Sequence, residues 1–198
     1  MKKIKFTGGN WEKYFEYAYT KRFPFDPEFE QEEDCLVNKR NPGMSDGFDY
    51  TTIMTKEKYG EGTKLCVICS FEKYGAPLIT LTDSPQRDEN GKLRYGACYE
   101  VVLWENGINV WDLYEENSEI KWKRIMAQQF ELKPEEKHEI LIELKEDKCI
   151  RVVQGDYDFI LRIENLPDEM YFGITGCENI NRFYEMSITN GEEKCNDT

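Results

Sequence analysis

The chain has 198 residues, with 39 acidic and 26 basic side chains and a formal net charge of -13 at pH 7. This length suits a single domain with its own core. The acidic balance and the lack of any long lysine or arginine run argue against nucleic acid and anionic membranes as partners, because both bind through basic patches.

The amino terminus carries no recognisable targeting signal. No apolar region follows Lys2, Lys3 and Lys5, and no later stretch approaches the roughly 20 apolar residues of a membrane span. We therefore expect a cytoplasmic protein. The seven cysteines, an odd number, agree with reduced thiols. Cys66 and Cys69 form a C-x-x-C pattern, but residues three apart in a strand point to opposite faces, so they are not expected to share a metal or a disulfide.

Short β-rich runs separated by turn residues follow one another along most of the chain. The predicted strands are Lys2–Phe6, Cys35–Asn38, Phe48–Thr55, Lys64–Glu72, Pro77–Thr82, Leu93–Glu105, Ile108–Glu115, Ser118–Ile125, Lys137–Lys145, Cys149–Gln154, Tyr157–Ile163, Met170–Gly176 and Arg182–Thr189. Residues 10–33, interrupted by Pro24 and Pro27, are compatible with a short helix or an irregular covering loop. We predict one β-sandwich domain over residues 1–198, with 1–47 as an irregular covering segment with edge strands and 190–198 as a frayed tail.

Three tight turns predict antiparallel hairpins. Asn106-Gly107 is the strongest signal, because both central residues of a type I′ turn need a positive φ. Gly155-Asp156 and Glu116-Asn117 are further two-residue turns, the last without a glycine. The first and third turns together predict a three-stranded meander over residues 93–125.

Counting outward from these turns assigns the side chains of the meander to two faces. Trp111 falls opposite Val102 on one neighbouring strand and opposite Trp122 on the other, while Asn109 falls opposite Trp104 and Arg124. Three of the four tryptophans therefore share one face, which we call the tryptophan face. Its polar and aromatic members form the candidate ligand-binding site: Glu100, Trp104, Asn109, Trp111, Trp122 and Arg124.

Three interpretations of the meander follow from the residues. The tryptophan face is either the core of the sandwich, or a concave and partly wet surface on which sugar rings stack against indoles while polar side chains bind the hydroxyls. The third interpretation assigns the site to the opposite face. That face carries Tyr99, Asp112, Tyr114 and Lys121, with Asp112 and Lys121 predicted as a cross-strand ion pair.

Most enzyme chemistries find no support in the sequence. His138, the only histidine, starts a predicted strand and is expected to be structural. The nucleophile, phosphate-loop, dinucleotide and zinc-protease motifs do not occur. Glycoside hydrolysis needs only two carboxyl groups, and Glu100 is the candidate for one of them. Its predicted cross-strand neighbours are Leu113 and Ile120, so a second carboxyl would have to come from Glu72 or Glu185.

No cofactor is expected, and metal binding is limited to one weak possibility. The turn at residues 81–91 offers oxygen ligands for a structural calcium ion, although a solvated turn is the simpler interpretation. The side chains concerned are Asp83, Asp88, Glu89 and Asn90.

The strand order, the Tyr99–Trp111 hairpin and the closing stretch Phe172–Ile188 resemble the concanavalin-A-like lectin and glucanase superfamily. The resemblance covers most of the chain and implies an all-β, two-sheet antiparallel jelly-roll sandwich. It also implies carbohydrate binding or cleavage, typically on the concave sheet. The sequence lacks the glucanase carboxylate triplet and the two galectin patterns, which argues against both of those activities.

The leading functional hypothesis is a lectin-like carbohydrate-binding domain without catalysis of its own, with an oligosaccharide or glycan as partner. One alternative is a glucanase-like glycoside hydrolase or lyase that uses Glu100. Another is a non-catalytic protein-interaction domain whose tryptophans all belong to the core. Neither the sugar nor the oligomeric state follows from the sequence.

Overall fold

The computed structural model describes residues 1–41, 43, 47 and 50–190. In chain order the strands are β1 (Lys2–Lys5), β2 (Phe15–Thr20), β3 (Glu30–Gln31), β4 (Leu36–Val37), β5 (Thr51–Thr55), β6 (Tyr59–Gly60), β7 (Lys64–Phe71), β8 (Leu78–Thr82), β9 (Gln86–Arg87), β10 (Leu93–Tyr95), β11 (Cys98–Trp104), β12 (Gly107–Glu116), β13 (Glu119–Gln129), β14 (His138–Lys145), β15 (Cys149–Gln154), β16 (Tyr157–Arg162), β17 (Glu169–Gly176) and β18 (Asn181–Thr189). A short 3-10 helix, Asn10–Lys13, precedes β2. No helix in the described ranges is long and apolar enough to cross a membrane.

These strands form two sheets. The eight-stranded sheet has the order β16-β15-β14-β7-β18-β4-β3, with β1 also paired to β18. The ten-stranded sheet has the order β13-β12-β11-β8-β17-β5-β2-β10-β9, with β6 also paired to β17. Pairing is antiparallel except between β2 and β10, which run parallel. The predicted two-sheet sandwich is therefore confirmed.

The core lies between the two sheets and is built from alternate residues of their strands. The ten-stranded sheet contributes Val101 and Leu103 from β11 and Ile108 and Val110 from β12, all with no solvent exposure. These residues belong to the face predicted to lie opposite the tryptophans. The tryptophan face is therefore the outer face of the ten-stranded sheet, and its interpretation as the sandwich core is wrong.

The first hairpin forms where it was predicted, but with a different register. Trp104 pairs with Gly107 and Val102 with Asn109, so the loop residues are Glu105 and Asn106. The physical reason is crowding at Gly107, which has a φ of 128° and where a Cβ atom would overlap the Gln128 carbonyl oxygen. Glycine is thus required inside the strand, where β12 meets β13, rather than at the centre of the turn.

The second turn of the meander is also displaced by one residue. Glu116 pairs with Glu119, so Asn117 and Ser118 form the loop, and both have a positive φ. A β-bulge between Val110 and Trp111 then changes the register again. In contrast, the hairpin at Gly155-Asp156 is confirmed, with β15 and β16 paired as predicted.

The altered register changes the cross-strand partners within the meander. Arg124 lies opposite Trp111 instead of Asn109, and Trp122 lies opposite Leu113 instead of Trp111. Asp112 forms its ion pair with Lys123, at 3.3 Å, rather than with Lys121. Each of these two hairpin turns is displaced by one residue, which shifts the cross-strand partners by two residues. Because side chains alternate between the two faces, every predicted site residue keeps its predicted face.

Two further differences concern strand limits. The predicted strand Leu93–Glu105 is divided into β10 and β11, because β10 pairs with β2 whereas β11 lies between β8 and β12. The predicted strand Phe48–Thr55 is observed from Thr51, and Phe48 and Asp49 lie outside the described residues. Within the amino-terminal segment, β2 is an internal strand between β5 and β10 rather than part of a covering loop.

The ten-stranded sheet curls strongly towards its outer face. Arg22, just after β2, lies over the ring of Trp122 in β13, although β12, β11, β8, β17 and β5 separate these two strands in the sheet. Lys21 likewise pairs with Glu115 at the end of β12, at 3.6 Å. This curvature brings the segment after β2 against the outer face of the meander.

Candidate functional site

A cavity of about 350 Å³ opens on the outer face of the meander. All six residues of the predicted site line it: Glu100, Trp104, Asn109, Trp111, Trp122 and Arg124. Distant segments add Arg22, Tyr50 and Glu178 to its wall. We call it the tryptophan cavity. A second cavity, of about 440 Å³, lies near Lys145 and Asp168, but no aromatic side chain lines it.

The three tryptophans of the cavity differ in their accessibility. The Trp122 side chain is 58% exposed, whereas Trp104 and Trp111 are half-buried in the cavity wall. Trp11 alone among the four belongs to the buried core. The indole N–H of Trp104 is buried and lacks an acceptor among the described residues. The hypothesis that all the tryptophans belong to the core is therefore wrong, because Trp122 is exposed.

Glu100 forms the floor of the tryptophan cavity and is 5% exposed. The Tyr50 hydroxyl donates a hydrogen bond to its Oε1 atom, and the Arg22 Nη1 atom lies 3.8 Å from the same oxygen. The Cys98 thiol also approaches Oε1, at 4.0 Å. No described residue forms a hydrogen bond with Oε2. Glu100 thus has one oxygen held by the protein and unused hydrogen-bond acceptor capacity at the other.

The strand neighbours of Glu100 differ from the prediction. It lies opposite Trp111 of β12 and Thr80 of β8, not in line with Leu113 and Ile120. The two carboxyl groups considered as its catalytic partners lie on the side of the eight-stranded sheet: Glu185 is in β18, and Glu72 directly follows β7. Glu72 pairs with Arg182 at 3.1 Å, and Glu185 pairs with Lys3 at 2.8 Å. Among the described residues, Glu178 is the other carboxyl group that lines the cavity.

Burial raises the pKa of Glu100, and the charge of Arg22 and the hydrogen bond from Tyr50 counteract only part of this effect. The folded protein therefore binds the Glu100 proton more tightly than the unfolded chain does. Below the ordinary glutamate pKa of about 4.5, the stabilising contribution of this proton is fully present. It is lost as the pH rises through the raised value of the folded protein.

A Glu100→Gln variant tests this coupling between protonation and stability. As the pH rises from about 4 to about 7, the free energy of unfolding of the wild type is expected to fall relative to that of the variant. Urea unfolding at several pH values measures the difference. Glu119→Gln is the control, because Lys121 lowers the pKa of that exposed carboxyl. For this variant, the free energy of unfolding of the wild type should rise with pH relative to that of the variant. A constant difference for Glu100→Gln would contradict the assignment.

Arg22 connects the carboxylate floor to the aromatic wall. Its guanidinium lies 5.3 Å from the Tyr50 ring centroid and 5.4 Å from that of Trp122, distances typical of cation–π contacts. Arg124 lies 5.8 Å from the Trp111 ring. Arg22 and Tyr50 were not among the predicted site residues, because both lie far from the meander in the chain. The aromatic alternation of residues 15–20 was the one local signal that could have indicated the strand preceding Arg22.

Three residues considered for metal or redox chemistry lie outside the cavity. Cys69 is buried in the core, where burial raises the pKa of its thiol to about 12, whereas Cys66 is on the other face of β7 and is half-buried. His138 stacks on Phe71, and its Nε2 atom lies 2.8 Å from the Lys133 carbonyl oxygen. Both observations agree with structural roles.

The proposed calcium turn is occupied by internal hydrogen bonds. The Asp88 carboxylate accepts hydrogen bonds from the backbone N–H groups of Asn90 and Lys92 and from Arg94 Nε, each at 2.9 Å. Over the described ranges, no group of three or more His, Cys, Asp or Glu side chains is arranged to hold a metal ion. The calcium hypothesis stays a prediction.

No protein-family profile and no curated protein sequence matches the chain. Solved structures do match it. β-Agarase A from Zobellia galactanivorans aligns with a TM-score of 0.69 at 8% identity, over 95% of this chain and 89% of that one. An inactivated β-agarase B in complex with agaro-octaose gives 0.62 at 9% identity, over 92% and 87%. A β-1,3-glucanase from Mycobacterium marinum gives 0.55 at 12% identity, over 96% and 98%.

These likenesses extend over nearly the whole chain and establish its fold. The chain has the concanavalin-A-like jelly-roll fold, as its sequence predicted. The three solved structures named above are of carbohydrate-active proteins.

Proposed function

We propose that this protein binds carbohydrate in the tryptophan cavity and has no catalytic activity of its own. The observation that carries the proposal is the joint lining of one cavity by Trp104, Trp111 and Trp122, with Glu100 at its floor. Indole rings offer flat apolar surfaces to the C–H groups of a sugar ring. Carboxylate, amide and guanidinium groups beside them bind the hydroxyls of the same sugar.

The electrostatic properties of the cavity support an uncharged or weakly charged polar ligand. The Arg22 guanidinium is balanced by the Glu100 carboxylate. The free Oε2 atom of Glu100 accepts a hydroxyl hydrogen, and the exposed Arg124 and half-buried Asn109 supply donors. Such a combination of a few polar groups in an aromatic wall is typical of small-ligand sites.

The similar solved structures provide independent support. One is a β-agarase B bound to agaro-octaose, and another is a β-agarase A bound to oligoagarose. Both share the fold of this chain at identities below 10%. A glycan array followed by tryptophan-fluorescence titration is the direct test, because Trp122 is exposed enough to report a bound ligand. Absence of binding across the array would overturn the proposal.

Glycoside hydrolysis is a second candidate, favoured by the raised pKa of Glu100 and its unpaired Oε2 atom. A buried carboxyl group with a raised pKa is suited to act as a general acid. The mechanism needs a second carboxyl group, and among the described residues Glu178 is the other carboxyl group that lines the cavity. Glu178 is exposed and follows β17, whereas Glu100 is held within β11.

We expect no turnover of aryl glycosides or oligosaccharides by the wild-type protein. Reducing-end release and chromatography of the oligosaccharide products measure this directly. Turnover that is lost in both Glu100→Gln and Glu178→Gln would replace the binding proposal with a hydrolase. Binding without turnover would support the proposal as stated.

A further inference from the structure

Much of the outer face of the ten-stranded sheet is closed to ligands. Beyond the tryptophan cavity, Thr80, Thr175 and Thr52 are buried on adjacent strands, and their hydroxyls are linked at 2.9 and 2.8 Å. Met54 and Tyr95 are buried beside them. A long ligand therefore has no open path across the strands of this sheet.

The tryptophan cavity does have a neighbour towards the start of β13. This cavity, of about 390 Å³, is lined by Lys21 and Ile120 among others, and we call it the Ile120 cavity. Arg22 and Trp122 line both cavities, so the two cavities adjoin at these side chains.

A third cavity adjoins the tryptophan cavity towards the end of β13. It measures about 630 Å³ and is lined by Gln129, Phe130 and Pro134 among others, and we call it the Pro134 cavity. Trp104 lines both this cavity and the tryptophan cavity. Phe130 is 9% exposed, and its ring is stacked on Tyr157 with 3.8 Å between the ring centroids.

We infer that the three cavities form one groove parallel to β13, which binds a linear oligosaccharide through internal sugar units rather than a single terminal sugar. This inference rests on the proposed carbohydrate binding. β13 has 11 residues, and at about 3.3 Å per residue it spans roughly 35 Å, which exceeds the size of one sugar ring. The aromatic side chains of Trp122 and Trp104 stand at the two boundaries between the cavities.

Chain-length dependence of affinity tests this groove. The probes are agaro-oligosaccharides and β-1,3-linked gluco-oligosaccharides of two, four, six and eight units, measured by isothermal titration calorimetry. Because longer chains contact all three cavities, we expect the eight-unit chain to bind about tenfold more tightly than the two-unit chain. Equal affinity for both lengths would overturn the groove but leave carbohydrate binding intact. No binding of any chain by the wild-type protein would count against both proposals.

Two exposed residues at the ends of the groove supply the matched variants. Lys21→Ala and Gln129→Ala are each expected to weaken binding of the eight-unit chain by roughly threefold to tenfold and to leave binding of the two-unit chain unchanged. Lys123→Ala is the control, because Lys123 pairs with Asp112 and lines none of the three cavities. Equal effects of the end variants on short and long chains would overturn the inference.

Discussion

Trp111→Ala is expected to weaken carbohydrate binding by about 2 kcal/mol, or roughly thirtyfold in Kd. Trp111 lies at the centre of the tryptophan cavity, between Glu100 on β11 and Arg124 on β13. Removing its indole takes away both a stacking surface and the aromatic partner of Arg124. Titration of wild type and variant with the sugar identified on the array measures the loss.

Trp111→Ala can weaken binding by destabilising the fold as well as by removing a ligand contact, because Trp111 also packs against buried apolar residues. Trp122→Ala is the second variant, since a side chain that is 58% exposed contributes little to the core. Tyr114→Ala on the opposite face of β12 is the control and should bind like the wild type. If Trp111→Ala and Trp122→Ala retain full affinity while folded, the ligand binds elsewhere.

Gly107→Ala is expected to lower the free energy of unfolding by about 3 kcal/mol, the largest stability effect of a single added methyl group that we predict. Its backbone φ of 128° disfavours any L-residue with a side chain. The added Cβ would also overlap the Gln128 carbonyl oxygen and lie 3.1 Å from the Gln129 Cα atom. Both neighbours are backbone atoms of β13, so the clash can be relieved only by moving the strand.

Gly155→Ala separates the strain of a positive φ from the clash of the added Cβ atom. Gly155 also has a positive φ, of 55°, but a Cβ atom there would meet no atom within 4 Å. We expect a loss of about 1 kcal/mol from conformational strain alone. Urea unfolding of the two variants measures the difference. Equal losses would show that the close approach of β12 and β13 at Gly107 is unimportant for stability.

The faces of the meander were predictable from sequence even though its register was not. When a turn is displaced by one residue, each strand residue faces a partner two positions away from the predicted one. Because side chains alternate between faces with a period of two, that partner lies on the same face. Trp104, Trp111 and Trp122 therefore stayed together. The displaced second turn places Arg124 opposite Trp111, and the β-bulge at Val110/Trp111, which has no signature in the residue pattern, places Ala127 opposite Asn109.

The other half of the site was beyond prediction from local patterns. Arg22 and Tyr50 reach the cavity because the ten-stranded sheet curls, and sheet curvature depends on contacts between strands that are far apart in the chain. Pro24 and Pro27 made residues 10–33 look irregular, although both follow the end of β2. The Tyr50 hydrogen bond to Glu100 joins residues 50 positions apart.

The position of Arg22 also bears on how specificity can evolve in this fold. It lies in the stretch between β2 and β3, which is outside both sheets, while the tryptophans are fixed by strand pairing. Changes of length or sequence in this stretch therefore leave the strand register intact and still reshape one wall of the cavity. One wall of the cavity can thus change while the strands that hold the tryptophans stay as they are, and selection can act on that wall separately.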